Sequence, residues 1–333
     1  MDFGLTAEQE QLVGSERAFL ARHDPIARVR ETLDAAPVAI DPAVLLHAAE
    51  GGLLALLTPD VGGTHVDLAA LGEAHGYAAS SLPLADLAIT NWLLERAGMP
   101  EYSSAAEGDL VLGLARTSKW SPTKTSPVPM AADLAAIVVI DESAGTDRAT
   151  VVRTPQLSAL STLDLTRTWA RVDLDRTSIE WTDLPGGTVA YVRDALAVHR
   201  AFDALGAAAR LLEISVTYAG QRQQFGVPIG SFQSVKHHCA NMALGVEASR
   251  AALWAGAAAL DHSVSAAARS RAASAAAAYA KSTASEAAST ALQVHGGIGF
   301  TWEHDLHLLL RRIKVDEALD GSVAEHRAAL VAG

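Results

Sequence analysis

Two long alanine-rich segments in the C-terminal half constrain the fold of this chain more than any other feature. They cover residues 231–262 and 264–292 and are longer than an average globular helix. A third segment, from residue 189 onward, has apolar residues at helical spacing: Phe202, Leu205, Ala209, Leu212 and Val216. Because alanine and leucine favour closely packed helices, we expect a helical bundle over residues 186–333, with a shorter helix at 302–312.

The N-terminal region also predicts helices. Thr6-Ala7-Glu8-Gln9 has the pattern of a capping box, and the helix that it starts is expected to end near His23-Asp24-Pro25. Further helices are expected at 42–50, 67–79 and 86–97, with a turn-rich loop at 58–63. Residues 1–107 are therefore predicted to form a helical N-terminal domain.

The middle of the chain changes in character and predicts a small β-domain over residues 108–185. Short apolar or β-branched runs indicate strands at 110–115, 136–140, 150–154, 170–174 and 177–181. The segment 119–129 is rich in Ser, Thr and Pro and is expected to be a loop. The predicted fold class is mainly α with a small β-domain, in the order helices, strands, helical bundle.

Composition excludes several classes of function. A net charge of −12 without a long basic run argues against nucleic acid as a partner. No apolar run is long enough for a membrane span, and residues 1–4 lack the start of a secretory signal. The lone Cys239 cannot form an intrachain disulfide, and adjacent residues 236–239 cannot all face one metal ion. We expect a soluble, cytoplasmic protein without a metal site and without a membrane partner.

Two short segments carry residue types suited to a phosphorylated cofactor. In Arg222-Gln223-Gln224-Phe225-Gly226, an arginine beside amides and an aromatic ring can grip a phosphate, although such a run is also common at a solvated helix end. In His295-Gly296-Gly297-Ile298-Gly299, the glycines serve either as a helix C-cap or as a close approach to a diphosphate. The second segment is not the dinucleotide fingerprint, because no strand precedes it.

These segments, together with an unbroken match from Gln293 to Ser322, resemble the C-terminal domain of acyl-CoA dehydrogenases. The resemblance implies FAD as cofactor and an acyl-CoA thioester as substrate. In that family, the Arg-x-x-Phe-Gly and Gln-x-x-Gly-Gly motifs hold the ADP part of the neighbouring subunit's FAD. The positions that match are Arg222, Gln224, Phe225, Gln293, Gly296 and Gly297, and Ser322 stands at a threonine position of the same cofactor-binding set.

The resemblance also points to Asp320, six places after Lys314, as the base that removes the α-proton of the acyl chain. The family usually has Glu-Gly-Thr here, so this carboxylate is about one methylene short. Asp-Gly is also a common turn pair, which is the alternative reading. A base in a closed apolar pocket is expected to have a raised pKa.

Other candidate bases are weaker. Some relatives carry the base earlier in the chain, at a position that falls on Leu196, with Ala197 where an arginine is often found. The alternative base is therefore absent. Glu317, Glu325 and His326 are fallback acids or bases that are expected to be surface residues.

The middle domain departs from the family. Neither the Thr-Glu-Pro-x-x-Gly-Ser-Asp motif nor the Trp-x-Thr-Asn motif, which cradle the flavin ring, occurs between residues 110 and 129. Trp120 or Trp169 are candidates to approach a flavin, although a buried tryptophan usually belongs to the core. The chain is also short for the family, and the shortfall lies in this domain.

These departures resemble the smaller subunit of bacterial α2β2 acyl-CoA dehydrogenases of steroid degradation. The implied function is α,β-desaturation of an acyl-CoA, with a longer dehydrogenase subunit as partner and an electron-transfer flavoprotein or similar acceptor. Two alternatives stay open: a non-catalytic subunit that completes a partner's FAD site, and another flavoenzyme on this scaffold, such as a monooxygenase or nitroalkane oxidase.

Overall fold

The computed structural model describes residues 5–23, 26–32, 38–118, 121–142, 145–174, 179–262 and 265–332. Six helices come first: α1 (Ala7–His23), α2 (Ile26–Thr32), α3 (Pro42–Glu50), α4 (His65–Ala78), α5 (Leu84–Arg96) and α6 (Tyr102–Ala106). The predicted capping box of α1 is present, since the Gln9 N–H donates to the Thr6 hydroxyl at 3.2 Å. The short α2 was not predicted, and Asp24 and Pro25 lie outside the described residues.

The middle part is a mixed sheet. Its strands are β1 (Leu112–Ser118), β2 (Ser121–Thr125), β3 (Val128–Pro129), β4 (Ala136–Ile140), β5 (Arg148–Val152), β6 (Gln156–Leu160), β7 (Trp169–Asp173) and β8 (Thr182–Asp183). They are ordered β3-β7-β2-β1-β4-β5-β8, with β6 paired to β7. Only the central β1–β4 pair runs parallel among the described pairings.

Two predictions for this sheet were wrong. The expected loop at 119–129 contains β2 and β3, which pair with β1 and β7. Pairing with distant strands outweighs the loop preference of Ser, Thr and Pro there. The strand expected at 177–181 is absent from the described residues 179–181, and residues 177 and 178 lie outside the description. The strand found instead, β8, pairs with β5.

The C-terminal part is a helical bundle. Its helices are α7 (Thr188–Gln221), α8 (Gln233–His262), α9 (Ala266–His295), α10 (Leu306–Ala318) and α11 (Val323–Val331). A short hairpin joins α7 to α8, and each of its strands has two residues: β9 (Gln223–Gln224) and β10 (Val227–Pro228). The helix expected at 302–312 begins later, at Leu306, and α11 was not predicted. No helix within the described ranges has the length and apolar character needed to cross a membrane.

Small residues bring the bundle against the N-terminal helices. A Cβ added at Gly206 of α7 would lie 2.1 Å from the Glu73 carbonyl oxygen, and one added at Gly76 of α4 would lie 2.1 Å from the Asp203 carbonyl oxygen. The backbones of α4 and α7 therefore cross in contact, which only glycine permits. The mainly helical fold with a small sheet is confirmed, whereas the division at residues 107/108 and 185/186 stays a prediction.

Candidate functional site

The Arg222–Gly226 segment is the tip of the hairpin that follows α7. The Arg222 N–H donates to the Tyr218 carbonyl at 2.8 Å, which ends the helix. Phe225 and Gly226 both have positive φ, 53° and 80°, as a tight hairpin turn requires. A positive φ is unusual for a bulky residue. This turn leaves the Phe225 side chain 92% exposed.

The Gln293–Gly297 segment lies at the end of α9. Gly296, with φ 61°, stops the helix, and a Cβ added at Gly296 or Gly297 would meet no heavy atom within 4 Å. The rings of Tyr218 and His295 stack at 4.5 Å, and this contact joins the ends of α7 and α9. The structure therefore brings the two predicted cofactor motifs to one end of the bundle.

The side chains of this surface suit the ADP part of FAD. Arg222, Gln224 and Gln293 are exposed. No described residue forms an ion pair or hydrogen bond with the Arg222 guanidinium, so it is available for a diphosphate. Open backbone at the paired glycines permits close approach. Three aromatic side chains within or just after the two motifs are exposed: Phe225, Phe300 and Trp302. We define the motif surface as Arg222, Gln224, Phe225, Gln293, Gly296 and Gly297.

Ser322 belongs to a different element from the motif surface. It is the N-cap of α11, where its Oγ and the Glu325 carboxylate form a capping box. The Ser322 hydroxyl donates to Glu325 Oε2 at 2.9 Å. Its hydroxyl therefore already has a structural partner, and its assignment to the cofactor stays a prediction.

Asp320 lies in the turn between α10 and α11. The turn has φ 53° at Asp320 and 94° at Gly321, so two successive residues are left-handed. The ammonium of Lys281, a fully buried residue on α9, donates to the Leu319 carbonyl and, at 2.8 Å, to the Gly321 carbonyl. His326 Nε2 donates to the Asp320 carbonyl at 3.1 Å. Three backbone carbonyls of the turn are thus held by side chains.

The carboxylate of Asp320 is bound between two arginines. Arg116 Nη2, from β1, donates to Oδ1 at 2.9 Å, and Arg200 Nε, from α7, donates to Oδ2 at 3.1 Å. Burial on its own would raise the pKa of Asp320, but the charges of Arg200, Arg116 and Lys281 outweigh burial and lower it. The expectation of a raised pKa in apolar surroundings was therefore wrong, because the surroundings are cationic.

The two arginines belong to a larger buried charge network between the three parts of the fold. Arg200 also pairs with Asp86 of α5 at 2.8 Å, and Arg116 pairs with Glu142 at 3.2 Å. On the other side, Asp203 of α7 accepts from Arg312 of α10 at 2.6 Å and from Arg167 at 2.9 Å. We call the set the junction network: Asp86, Arg116, Glu142, Arg167, Arg200, Asp203, Arg312, Asp316 and Asp320.

Leu196 and Ala197 are buried on α7, one turn before Arg200. Leu196 and Arg200 both line a cavity of about 10 Å³ between α4, α5 and α7. Trp169 is buried and its Nε1 donates to Asp164 at 3.4 Å, so it belongs to the core. Trp120 lies outside the described residues.

The fallback acids and bases have structural partners. Glu317 pairs with Lys314 at 3.1 Å, Glu325 caps α11, and His326 holds the Asp320 turn. The expectation of a surface position was wrong for His326, which is buried. Its place under the turn explains the burial.

Sequence reasoning missed Arg116, Arg200 and Lys281. The signal that could have found them is a lone charge inside an apolar segment. Arg116 follows Leu114-Ala115 in a buried strand, and Lys281 stands within an alanine run. Charged residues in such places are almost never buried unless they are paired.

Comparisons with known proteins agree with the motifs. The family model for the acyl-CoA dehydrogenase C-terminal domain matches residues 189–332. Acyl-CoA dehydrogenase IpdE2 of Mycobacterium tuberculosis is 32% identical over 312 residues, which is 92% of this chain and 90% of that protein. IpdE2 of Mycolicibacterium smegmatis is 29% identical over 320 residues, covering 92% of this chain and 93% of that protein.

Solved structures share the fold. The ChsE4-ChsE5 complex from Mycobacterium tuberculosis superposes with a TM-score of 0.86 and 21% identity, over 100% of this chain and 98% of the matched chain. The steroid acyl-CoA dehydrogenase Tcur3481-Tcur3483 gives a TM-score of 0.85 and 20% identity, over 98% and 97%. A solved structure of PigA with FAD also shares the fold, with a TM-score of 0.81 and 18% identity over 100% of this chain and 98% of that chain. The IpdE2 match over nearly the whole chain shows that the chain belongs to the acyl-CoA dehydrogenase family, in line with the predicted cofactor, FAD.

Proposed function

We propose that this chain is the shorter subunit of a heteromeric acyl-CoA dehydrogenase. The complex would desaturate a bulky, steroid-derived acyl-CoA between its α and β carbons. In this proposal the chain contributes the motif surface, which holds the ADP part of the FAD that serves a partner subunit's active site. The proton-abstracting base comes from the partner.

The single observation that carries the proposal is the state of Asp320. A general base works best with a pKa near the operating pH, and its carboxylate must be able to turn toward the proton that it removes. Both carboxylate oxygens of Asp320 are engaged by arginines, and its pKa is lowered. The residue at the family's base position therefore acts as an anchor for Arg116 and Arg200, which favours the non-catalytic alternative for this subunit.

The middle domain supports the same conclusion. Where the family carries its flavin-ring motif near the first strand of the sheet, this chain has Arg116, whose side chain reaches across to the bundle. The cavity beside Leu196 and Arg200 measures about 10 Å³. Pockets that bind organic ligands usually measure roughly 300–1,000 Å³. The space beside Leu196, the earlier of the two family base positions, is thus far too small for an acyl chain.

The motif surface fits its proposed task. When bound, FAD accepts the β-hydride of the acyl chain while a carboxylate takes the α-proton. The Arg222 guanidinium would neutralise diphosphate charge, and the open backbone at Gly296 and Gly297 would lie close to it. Exposed aromatic side chains at this end of the bundle would pack on the partner and exclude water.

The partner and substrate classes rest on the relatives. The two-protein complexes ChsE4-ChsE5 and Tcur3481-Tcur3483 share this fold, and the second is a steroid acyl-CoA dehydrogenase. We extend both properties to this chain, with a longer dehydrogenase subunit as the partner. We also propose an electron-transfer flavoprotein or a similar carrier as the acceptor that reoxidises the complex.

The test is co-expression with a longer dehydrogenase subunit from the same organism, followed by measurement of FAD per pair and of acyl-CoA desaturation. We expect Arg222→Ala to lower FAD content several-fold, because a charge-assisted phosphate contact is lost. Arg193→Ala, which removes an exposed arginine on helix α7, is the matched control and should leave FAD content unchanged.

Asp320→Asn separates the two readings of the base position. We expect the variant complex to retain its desaturation rate within about twofold, because in this proposal Asp320 is not the base. Removal of a working general base would instead lower the rate by roughly 100-fold or more. A loss of that size with FAD content intact would assign the base to Asp320 and overturn the proposal. A product that is not α,β-unsaturated would instead favour another flavoenzyme chemistry.

A further inference from the structure

Three aromatic rings pack together next to the two cofactor motifs. Tyr218, in the last turn of α7, and His295, the last residue of α9, lie face to face, with ring centroids 4.5 Å apart and 22° between the ring planes. His304 packs edge-on against His295 at 4.6 Å. We call these three residues the ring stack. It joins the ends of α7 and α9 to the segment that precedes α10.

The tyrosine of the ring stack is tied to the arginine motif. The Arg222 N–H donates to the Tyr218 carbonyl at 2.8 Å, and the Arg222 carbonyl accepts from the Ile229 N–H at 2.7 Å. A Cβ added at Gly230 would lie 2.9 Å from the Ala219 carbonyl oxygen, so the chain after the hairpin also packs on the last turn of α7. The position of Arg222 therefore follows that of Tyr218.

The central histidine of the ring stack is tied to the glycine motif. His295 Nδ1 donates to the Ala291 carbonyl at 2.8 Å, one turn back on α9, and this bond orients the imidazole. Gly296 follows directly, and a Cβ added at Gly299 would lie 3.3 Å from His295 Cβ, so the glycine segment turns closely around this residue. Burial lowers the pKa of His295 and of His304, so near neutral pH both rings are uncharged and pack without repulsion.

The spacing between the two motifs does not come from direct polar contact. Within the part of the chain that the structure describes, no hydrogen bond or ion pair links residues 222–232 to residues 293–304. The ring contact that joins the two helix ends is that of Tyr218 on His295. Aromatic pairs have preferred separations and orientations, so such a contact holds two elements in a defined relative position.

We propose that Tyr218 and His295 are positioning residues for the cofactor. Their stack sets the distance between the Arg222 guanidinium and the backbone of Gly296 and Gly297, so that both meet one diphosphate. The two residues act through the motifs and need no contact with FAD themselves. This inference rests on the proposed function, in which the motif surface holds the ADP part of FAD. Charge-assisted hydrogen bonds to phosphate need separations of about 2.7–2.9 Å, so a shift of roughly 1 Å between the helix ends loses one of the two contacts.

The first test is titration of FAD into the apo complex with the longer subunit, followed by flavin fluorescence. Tyr218→Leu removes the ring and is expected to weaken FAD binding roughly three- to tenfold, the size expected for the loss of an aromatic pair. Tyr218→Phe keeps the ring and should bind FAD as the parent does. Within the described residues the Tyr218 hydroxyl forms no hydrogen bond, so its removal leaves the stack intact.

Trp92→Leu is the matched control. Trp92 of α5 stacks on Tyr191 with a similar geometry, 4.6 Å between ring centroids and 25° between planes. Tyr191 lies near the other end of α7, roughly 40 Å from Tyr218 at a rise of about 1.5 Å per residue. Loss of this stack lowers stability in a comparable way but should leave FAD affinity unchanged.

A second measurement needs no cofactor. In hydrogen exchange of the full chain alone, Tyr218→Leu should speed up exchange at the amides of residues 296–301, which lie across the stack from the substituted residue. Trp92→Leu should not change exchange there. Weaker FAD binding by Tyr218→Leu without faster exchange at these amides would overturn the inference, because the effect would not pass through His295.

The remaining outcomes separate this inference from the proposed function. If Tyr218→Leu binds FAD as the parent does while Arg222→Ala binds it more weakly, the positioning role is wrong and the proposed function stands. Equal losses for Tyr218→Leu and Tyr218→Phe would assign the effect to the hydroxyl and also overturn the role. If Arg222→Ala leaves FAD affinity unchanged, the motif surface does not hold the cofactor, and both proposals are wrong.

Discussion

At the scale of single residues, Asp316 of α10 and Asp320 of the following turn lie beside the same arginine, and their pKa values shift in opposite directions. Arg200 Nε lies 3.1 Å from Asp320 Oδ2 but 4.0 Å from Asp316 Oδ1. Burial, followed by the nearby charge of Asp203, raises the pKa of Asp316 well above its usual value, whereas that of Asp320 is lowered. Of these two carboxyls, Asp316 is therefore the one that holds its proton to the higher pH.

Asp316→Asn is predicted to stabilise the protein near neutral pH. The folded state holds a proton that the unfolded chain releases above about pH 3.8, so the stability of the parent protein falls as pH rises beyond that value. Asparagine copies the protonated acid and cannot ionise, so the variant avoids this loss. Urea unfolding should show the gain at neutral pH and its disappearance in acid.

The matched control is Asp320→Asn, for which the expected change in the free energy of unfolding at neutral pH has the opposite sign. A lowered folded pKa contributes stability above the unfolded value, and this contribution is lost as pH falls through the folded value. Asp320→Asn should therefore destabilise the chain at neutral pH. If both variants shift the unfolding midpoint in the same direction, the two carboxyls do not differ as described.

Much of the residue-scale site was predictable, but its electrostatics were not. The position of Asp320 follows from its spacing after Lys314, which is a local property of the sequence. Its partners Arg116 and Arg200 lie 204 and 120 positions away. Nothing within a sequence window reports contacts at that separation, so the direction of the pKa shift could not be derived from the sequence.

At the scale of elements, the turn between α10 and α11 depends on one lysine of α9. Lys281 has no exposed surface and donates to the Leu319 and Gly321 carbonyls. These contacts hold Asp320 in its left-handed conformation, which costs energy for a residue other than glycine. The bundle thereby fixes the turn that meets β1 through Arg116.

Lys281→Met is predicted to destabilise the protein strongly. Methionine is similar in length but donates no hydrogen bond, so two carbonyls lose their donor at a cost of about 1–3 kcal/mol each. Hydrogen exchange should also speed up at the amides of residues 320–322. Lys314→Met is the control: this lysine is partly exposed, pairs with Glu317 and donates to the Ser285 hydroxyl, so a smaller loss of about 1–2 kcal/mol is expected.

The same lysine gives a pH signature. Burial lowers the pKa of Lys281 from 10.5 to about 8. Between these values the unfolded chain binds the extra proton, so stability contributed by this group rises with pH across that window. Lys281→Met should lack the rise. Parallel stability curves for parent and variant above about pH 8 would contradict the assignment.

Elements were predictable where their signal is local. Helix α3 was predicted at its observed bounds, and the structure shows local signals there: Asp41 is the N-cap and Pro42 the first helical residue. Helix α11 also carries a local signal, the Ser322-to-Glu325 capping box, which was not used. Strand β2 could not be predicted from its Ser, Thr and Pro content, since its pairing with β1 and β7 determines it.

At the scale of the whole molecule, the order helices, sheet and bundle follows from composition and periodicity. The way in which these parts are joined does not. The junction network links α5, α7, α10 and β1, and glycines at the α4–α7 crossing set how closely the N-terminal helices approach the bundle. Those contacts pair residues far apart in sequence, and no periodic pattern marks Gly76 or Gly206 as contact points.

The crossing itself is open to test by Gly206→Ala. The added Cβ would lie 2.1 Å from the Glu73 carbonyl oxygen and 2.6 Å from the Tyr77 nitrogen, both backbone atoms that cannot move aside alone. Helix α4 must then shift away from α7, and overpacking of this kind costs about 1–3 kcal/mol or more. Gly220→Ala on the same helix α7 meets nothing within 4 Å and should instead stabilise by about 0.5–1 kcal/mol. The measurement is the melting temperature of each variant. Equal rises would show that the helices do not touch at Gly206. A fall for Gly206→Ala with a rise for Gly220→Ala would establish the crossing as the contact that orients the N-terminal helices on the bundle.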